Sequence, residues 1–359
     1  MKIEPKHVIP TVIRYTFSAI ICSFTMTLPL SAKDQPQWGQ QCRNMVSFET
    51  NIPASFNPET GLNIKWQVPL GTQSYSTPVI SNGKIFIGTN NDKPRDPRHK
   101  GDRGILLCLD ETDGSLLWQL VTPKLQGDAY LDWPKAGICS SATVDGDRVY
   151  VVGNRAEIFC LDINGQYNGN DGPFKTEGEM MVLPGNEPIE TTKLDADVIW
   201  SLDMKTAPIN MYPHDSAHSS ILVDGDLLYL NTGNGVDNTH KKIRRPDAPS
   251  LIVVDKNTGK LVAKDDERIG LKIVHSTWAS PSLSNGNVQK QIIFGGGNGI
   301  CYGFQVPSPL PQKQSAQNLK RLWYFNCDIN APKDDPHNYM RNRKVSALCA
   351  RMGETIPCH

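Results

Sequence analysis

Short runs of alternating apolar and polar residues recur along the chain in sets of four. The first set lies at 76–81, 84–89, 104–110 and 115–120, and the second at 140–144, 148–152, 158–162 and 197–200. The third lies at 219–223, 227–230, 250–255 and 259–262, and the fourth at 280–283, 291–294, 300–304 and 319–323. Each run is rich in Val, Ile, Leu, Tyr and Thr, the composition of a strand that packs on both faces. Between the first and second runs of every set stands Asn82-Gly83, Asp145-Gly146, Asp224-Gly225 or Asn285-Gly286. Such pairs supply the positive φ angles of tight hairpins. Four-strand units repeating at this period predict an all-β chain, a β-propeller of four-stranded antiparallel blades.

The last run of the unit carries a tryptophan in three sets, Trp118, Trp200 and Trp323, with Ala263 at that register in the third set. A flat, large side chain there fills the wedge between neighbouring blades, a structural role that implies no chemistry. The run Cys108-Leu-Asp110-Glu-Thr-Asp-Gly114-Ser-Leu-Leu-Trp118 resembles the tryptophan-docking repeat of the quinoprotein dehydrogenase superfamily, the PQQ-like propeller repeats. Asp255-Lys-Asn-Thr-Gly259 is similar to the same turn. The resemblance covers residues 62–325 and departs at Asp113 and Ala263, and in the second set a long insertion (163–195) replaces the short turn.

Residues 62–68, with Trp66, read as a fourth run whose three partners are missing. The resemblance implies that an N-terminal outer strand completes the last blade, yet residues 326–359 show no alternation long enough for three strands. The expectation is therefore about four blades plus an orphan outer strand, from a larger propeller of six to eight blades, with the tail truncated or out of frame. A short propeller left open would expose unpaired strand edges.

Residues 1–32 read as a signal peptide: Lys2, Lys6 and Arg14 precede an apolar stretch and Ser31-Ala32. Residues 33–61 read as a linker. Cys22 follows Ile20-Ile21, which argues against a lipid anchor, and no later segment is apolar enough to span a membrane. The expectation is an exported chain, periplasmic or extracellular. Lys and Arg total 37 against 37 Asp and Glu, so no net field favours nucleic acid. The basic stretch 240–245 and the mixed-charge stretch 92–103 read as solvated loops.

Nine cysteines, Cys22 among them, allow disulfides after export without specifying pairs. Ligands of propellers bind at the axial mouth, which is lined by the loops entering the innermost strands. Here those loops present Gln73 and Tyr75, Lys135, Tyr212, His214, Asp215 and His218, and His275 and Trp278. Such a mixture suits an anionic, planar or sugar-like ligand. His214 and His218 lie on a loop entering a strand, which names no metal site. The resemblance implies PQQ on the axis with calcium beside it, an aspartate base and often a disulfide between adjacent cysteines. This chain has no Cys-Cys pair, and Asp215 is the one carboxylate that suggests itself. The leading expectation is a non-catalytic binding module for a protein, glycan or small ligand. The alternatives are a PQQ-dependent dehydrogenase of alcohols or sugars and a scaffold for outer-membrane assembly.

Overall fold

The computed structural model describes residues 33–50, 52–215, 219–273, 275–284, 289–308 and 315–327. The signal-peptide expectation, the Asn285-Gly286 turn, His218 and the tail beyond 327 lie outside the described residues. The chain divides into residues 1–33 and residues 34–359, and the second unit holds every blade.

Four sheets succeed one another along the chain. The first runs β1 (Val79–Ser81), β2 (Lys84–Asn90), β3 (Arg103–Asp110) and β4 (Leu116–Pro123). The second runs β5 (Thr143–Asp145), β6 (Arg148–Val152), β7 (Glu157–Asp162) and β8 (Val198–Asp203). The third runs β9 (Leu222–Asp224), β10 (Leu227–Asn231), β11 (Leu251–Asp255) and β12 (Leu261–Lys264). β13 (Ser282–Ser284), β14 (Gln291–Gly295), β15 (Ile300–Gln305) and β17 (Arg321–Asn326) make the fourth, while β16 (Gln317–Asn318) pairs in parallel with β12. Within each blade the four strands pair antiparallel in sequence order, as the repeat predicts. The last strand of the third and fourth blades sits two residues later than the alternation suggests.

The hairpins differ in detail. Asn82 and Gly83 both have positive φ, at 54° and 70°. In blades two and three the glycine comes first in the two-residue loop, Gly146 at 62° and Gly225 at 59°. Both arrangements match the twist of the strands they join.

Side chains of the middle strands alternate between two interfaces. In β7, Phe159 and Leu161 pack toward blade one, whereas Ile158 and Cys160 pack toward blade three. In β11, Ile252 and Val254 face blade two, and Leu251 and Val253 face blade four. Each such side chain contributes about 1.5–3 kcal/mol by leaving water. A blade has no interior of its own, so the core is the set of gaps between blades.

Trp118 pairs with Cys108, Trp200 with Cys160, Ala263 with Val253 and Trp323 with Gly303, and in all four blades the register slips at the next residue. The slip aims the indole across the gap. Trp66, Trp118 and Trp200 donate Nε1–H to the carbonyls of Glu111, Ile163 and Lys256 in the following blade, at 3.0, 3.0 and 3.1 Å. Residues 62–68 form no strand ladder, and Trp66 serves blade one as a preceding blade's tryptophan would. Ala263 pairs with Gln317 of β16, which adds a fifth strand to the edge of that sheet. Trp323 turns back to Gln291 of its own blade and is 37% exposed.

Residues 34–43 cross the innermost strands. Gln35 pairs with Ile80, the carbonyl of Pro36 accepts from Val144 N–H at 2.6 Å, and Gln37 Oε1 accepts from Val223 N–H at 3.2 Å. Arg43 ends the crossing. It is buried and donates to the carbonyls of Trp38, Ser220 and Pro281. Burial lowers its pKa to about 9, so the guanidinium remains charged at neutral pH. The cysteines at 42, 108, 139, 160, 301 and 327 form no disulfide among themselves. Burial pushes the thiols of Cys139 and Cys160 up to about 12, which leaves them inert.

Candidate functional site

Three loops of blades three and four bring imidazoles together, and a loop entering blade two roofs them with an aromatic ring. The loop before β9 carries Tyr212, His214 and Asp215. Tyr212 is held through its backbone, its N–H donating to Asn234 Oδ1 at 2.9 Å and its carbonyl accepting from Gly235 N–H at 2.9 Å. A Cβ at Gly235 would stand 2.5 Å from His214 Cβ and 3.0 Å from the His275 carbonyl, so only glycine admits these two neighbours. His214 is fully buried, and its Nδ1 lies 2.8 Å from the Val236 carbonyl. A carbonyl only accepts, so Nδ1 carries the hydrogen and Nε2 presents a bare lone pair.

His240 stands on the loop between β10 and β11. Thr239 and Arg244 both hold Asp237, to which the His240 N–H also returns through the backbone carbonyl at 2.9 Å. His275 lies before β13, with its carbonyl accepting from Val236 N–H at 2.9 Å. Asp215 and His240 both take left-handed backbone conformations, φ 60° and 54°. Asp215 is fixed there by its N–H, which donates to the Tyr130 carbonyl at 2.6 Å. Such strain at two adjoining loops is tolerated where the surroundings over-determine it, and it clusters at functional sites.

His275 Nε2 lies 2.9 Å from His214 Nε2 and 2.8 Å from His240 Nε2. Asp215 Oδ2 stands 3.5 Å from His275 Nε2 and 3.7 Å from His214 Nε2. Tyr130 packs on His214 and His240 with ring centres 5.6 and 5.1 Å apart, and Trp133 and Trp278 extend the aromatic wall. Burial, and then the neighbouring His240, lower the His214 pKa to about 4, and burial and His214 push His275 the same way. Both rings are neutral at pH 7. Asp128 and Asp237 act on His214, and Asp215 on His275, in the opposite direction, without outweighing burial.

Of the residues singled out in the sequence, Tyr212, His214, Asp215, His275 and Trp278 share this region, and Tyr130, Trp133 and His240 join them. His240 is hidden in the basic stretch 240–245, whose charge masks one inward-facing ring. Gln73 and Tyr75 bond to each other at 3.2 Å, and Lys135 pairs with Asp92 at 3.3 Å. None of these three has a described contact with the imidazoles.

A second group of titratable residues, Asp96, His99 and Asp195, is buried. The stretch 92–103 is thus not a freely solvated loop. Arg98 lies between the two carboxylates, 2.5 Å from Asp96 and 2.9 Å from Asp195, and its charge satisfies them as an ion-pair network.

Four successive four-stranded blades, with tryptophans docked across the gaps from Trp66, Trp118 and Trp200, define a propeller of PQQ-like repeats. The chain belongs to the family described as outer membrane protein assembly factor BamB, whose model matches residues 102–305. No curated protein matches the chain. Among solved structures it is similar to BamB from Moraxella catarrhalis, at 16% identity over 73% of this chain and 54% of that one, with a TM-score of 0.38. It is similar also to quinohemoprotein alcohol dehydrogenase from Comamonas testosteroni, at 14% identity over 80% and 52% of the two chains, TM-score 0.45. A europium-containing methanol dehydrogenase shows 15% identity over 68% and 44%, TM-score 0.37. The chain spans about half the length of the first two of these structures. Among the described residues no helix is long and apolar enough to cross a membrane.

The PQQ-like repeats raise the question of PQQ with calcium. Calcium takes six to eight oxygen ligands. The donors converging here are three imidazole nitrogens and one carboxylate oxygen. That set does not fit calcium, and no step through PQQ is derived from it.

Proposed function

We propose that this propeller is an exported binding module that takes its ligand at the loop cluster of Tyr130, His214, His240 and His275. The observation that carries this reading is the convergence of side chains from four separate loops, with ring centres 4.3–5.6 Å apart. A rigid scaffold that presents its varied residues on loops is how propellers, and folds generally, acquire binding sites. The neutral rings of His214 and His275 and the aromatic walls suit a cationic, planar or sugar-like ligand better than an anionic one.

The test is tryptophan fluorescence, since Trp133 and Trp278 flank the cluster. The purified chain is titrated with cationic, planar and saccharide probes, and with PQQ plus calcium. A saturable change with one of the first three, lost in Tyr130→Ala, supports the module. Dye reduction with an alcohol or sugar in the presence of PQQ and calcium would instead establish the dehydrogenase. The match to a family described by an assembly factor supports a second reading, a protein scaffold. Co-purification with outer-membrane barrels, independent of Tyr130, would favour it.

A further inference from the structure

The three imidazoles meet at their Nε2 atoms, and no arrangement of protons gives both contacts of His275 a full two-centre hydrogen bond. His214 Nε2 is a lone pair, because the hydrogen of that ring sits on Nδ1 against the Val236 carbonyl. His275 Nε2 is within hydrogen-bond distance of both His214 Nε2 and His240 Nε2. It can carry one hydrogen, which serves one contact and not the other. If it carries none, its lone pair faces that of His214. Protonating His275 changes nothing, since Nε2 still bears a single hydrogen. A positive centre at the point where the lone pairs aim resolves every contact together.

We infer that His214, His240 and His275, with the carboxylate of Asp215, form a site for a divalent late first-row transition-metal ion of the zinc class. The donors of His214, His240 and His275 lie within 4.8 Å of one another. Zinc binds imidazole at about 2.0–2.1 Å, which sets tetrahedral ligand atoms about 3.3 Å apart. The nitrogen pairs at 2.8 and 2.9 Å need to open by a few tenths of an ångström, and the carboxylate oxygen at 3.5 and 3.7 Å to close by as little. The second shell is in place: the His214 Nδ1–H bond to Val236 fixes that ring's tautomer, as ligand histidines require. Three nitrogens supply three ligands, and Asp215 Oδ2, which approaches His275 and His214, stands beside the fourth position that such three-histidine sites keep open. The ion would tie the loops at 212–215, 237–245 and 275–278 to one another at the mouth. Coordinating neutral imidazole suits zinc, copper, nickel or cobalt and excludes magnesium and calcium.

This inference rests on the reading of the loop cluster as the ligand-binding place. The purified full chain, stripped with a chelator, is titrated with zinc by calorimetry and with cobalt by visible absorption. The expected result is one equivalent bound, a cobalt spectrum of tetrahedral nitrogen and oxygen ligation without thiolate bands, and a zinc-dependent rise in melting temperature. His240→Ala and His275→Ala should each weaken zinc binding at least tenfold and abolish the rise. Cys327→Ser should alter neither. Circular dichroism and melting in the absence of metal show whether the variants fold, and His240, on a partly exposed loop, is the safer of the two. Absence of stoichiometric binding by the wild type, a thiolate-ligated cobalt spectrum, or unchanged binding in folded His240→Ala overturns the inference. If zinc fails while an organic probe still quenches tryptophan fluorescence through Tyr130, the metal site falls and the binding module stands. If both fail, the module falls too.

Discussion

Arg43 donates its Nε–H to the carbonyl of Pro281, 238 residues further along, at 2.7 Å. With the Ser220 carbonyl at 2.9 Å, it ties the N-terminal crossing segment to the entrances of blades three and four. Arg43→Ala leaves both carbonyls buried without a donor, and each such group costs about 1–3 kcal/mol. The expected outcome is a loss of about 2–5 kcal/mol in denaturant unfolding. Arg43→Lys should recover only part of it, because an ammonium lacks the planar fork that reaches several acceptors.

Position in the propeller should separate two tryptophans of identical register. Trp118 is 1% exposed and bonded to the next blade, whereas Trp323 is 37% exposed and bonded within its own. Trp118→Ala should cost about 3–5 kcal/mol, the usual range for a buried tryptophan. Trp323→Ala should cost about 1 kcal/mol or less, as surface changes do. Equal losses by chemical denaturation would contradict the docking account.

The division between what alternation reveals and what it hides comes from range. Blades, hairpins and the tryptophan register are local patterns of period two, and Val149, Tyr150 and Val151 announce β6 from the chain alone. The crossing segment 34–43 has no such period, because it is held by a few backbone bonds, the side-chain oxygens of Asp34 and Gln37, and one guanidinium. In the site, His214, Asp215 and His275 are legible as residues of loops entering inner strands. His240 sits in a loop between middle strands among lysines and arginines, and the non-local pairing of Val236 with Ile243, with the turn at Asp237, shapes that loop. Arg98 and Asp195 look like surface charges until the insertion 163–195 folds back on blade one.

Gly235 controls the spacing of the imidazoles. Gly235→Ala places a methyl against His214 Cβ and should cost about 1–3 kcal/mol through overpacking. The same change should displace His214, so ligand binding read by tryptophan fluorescence falls even in the fraction that folds. Retention of wild-type binding would show that the loop absorbs the methyl elsewhere.

Acid should release the insertion before it releases the blades. Burial alone would raise the pKa of Asp195, but the neighbouring His99 ring and bonds from Thr192 and Arg98 outweigh it and hold the carboxyl below its ordinary range. A depressed carboxylate contributes stability that is complete above the unfolded value, about pH 4, and is lost as pH falls through the folded one. Asp195→Asn should therefore lower stability at pH 7 by about 1–3 kcal/mol, the worth of charge-assisted bonds. It should also flatten the pH dependence below about pH 4. Hydrogen exchange of the Gln119 amide, which donates to the Leu194 carbonyl at 2.9 Å, reports the release directly.

The parallel pairing of β16 with β12 has a mechanical result. Residues 317 and 318 are laced to blade three, and three residues later the same chain enters blade four as its outermost strand. One short stretch of backbone thus spans the gap, as residues 194–196 do between blades one and two where they bond to Gln119 of β4 three residues ahead of β8. The seams of blade one with two and of blade three with four are thus each laced by main chain just ahead of the outermost strand, so parting either one breaks backbone bonds as well as side-chain packing.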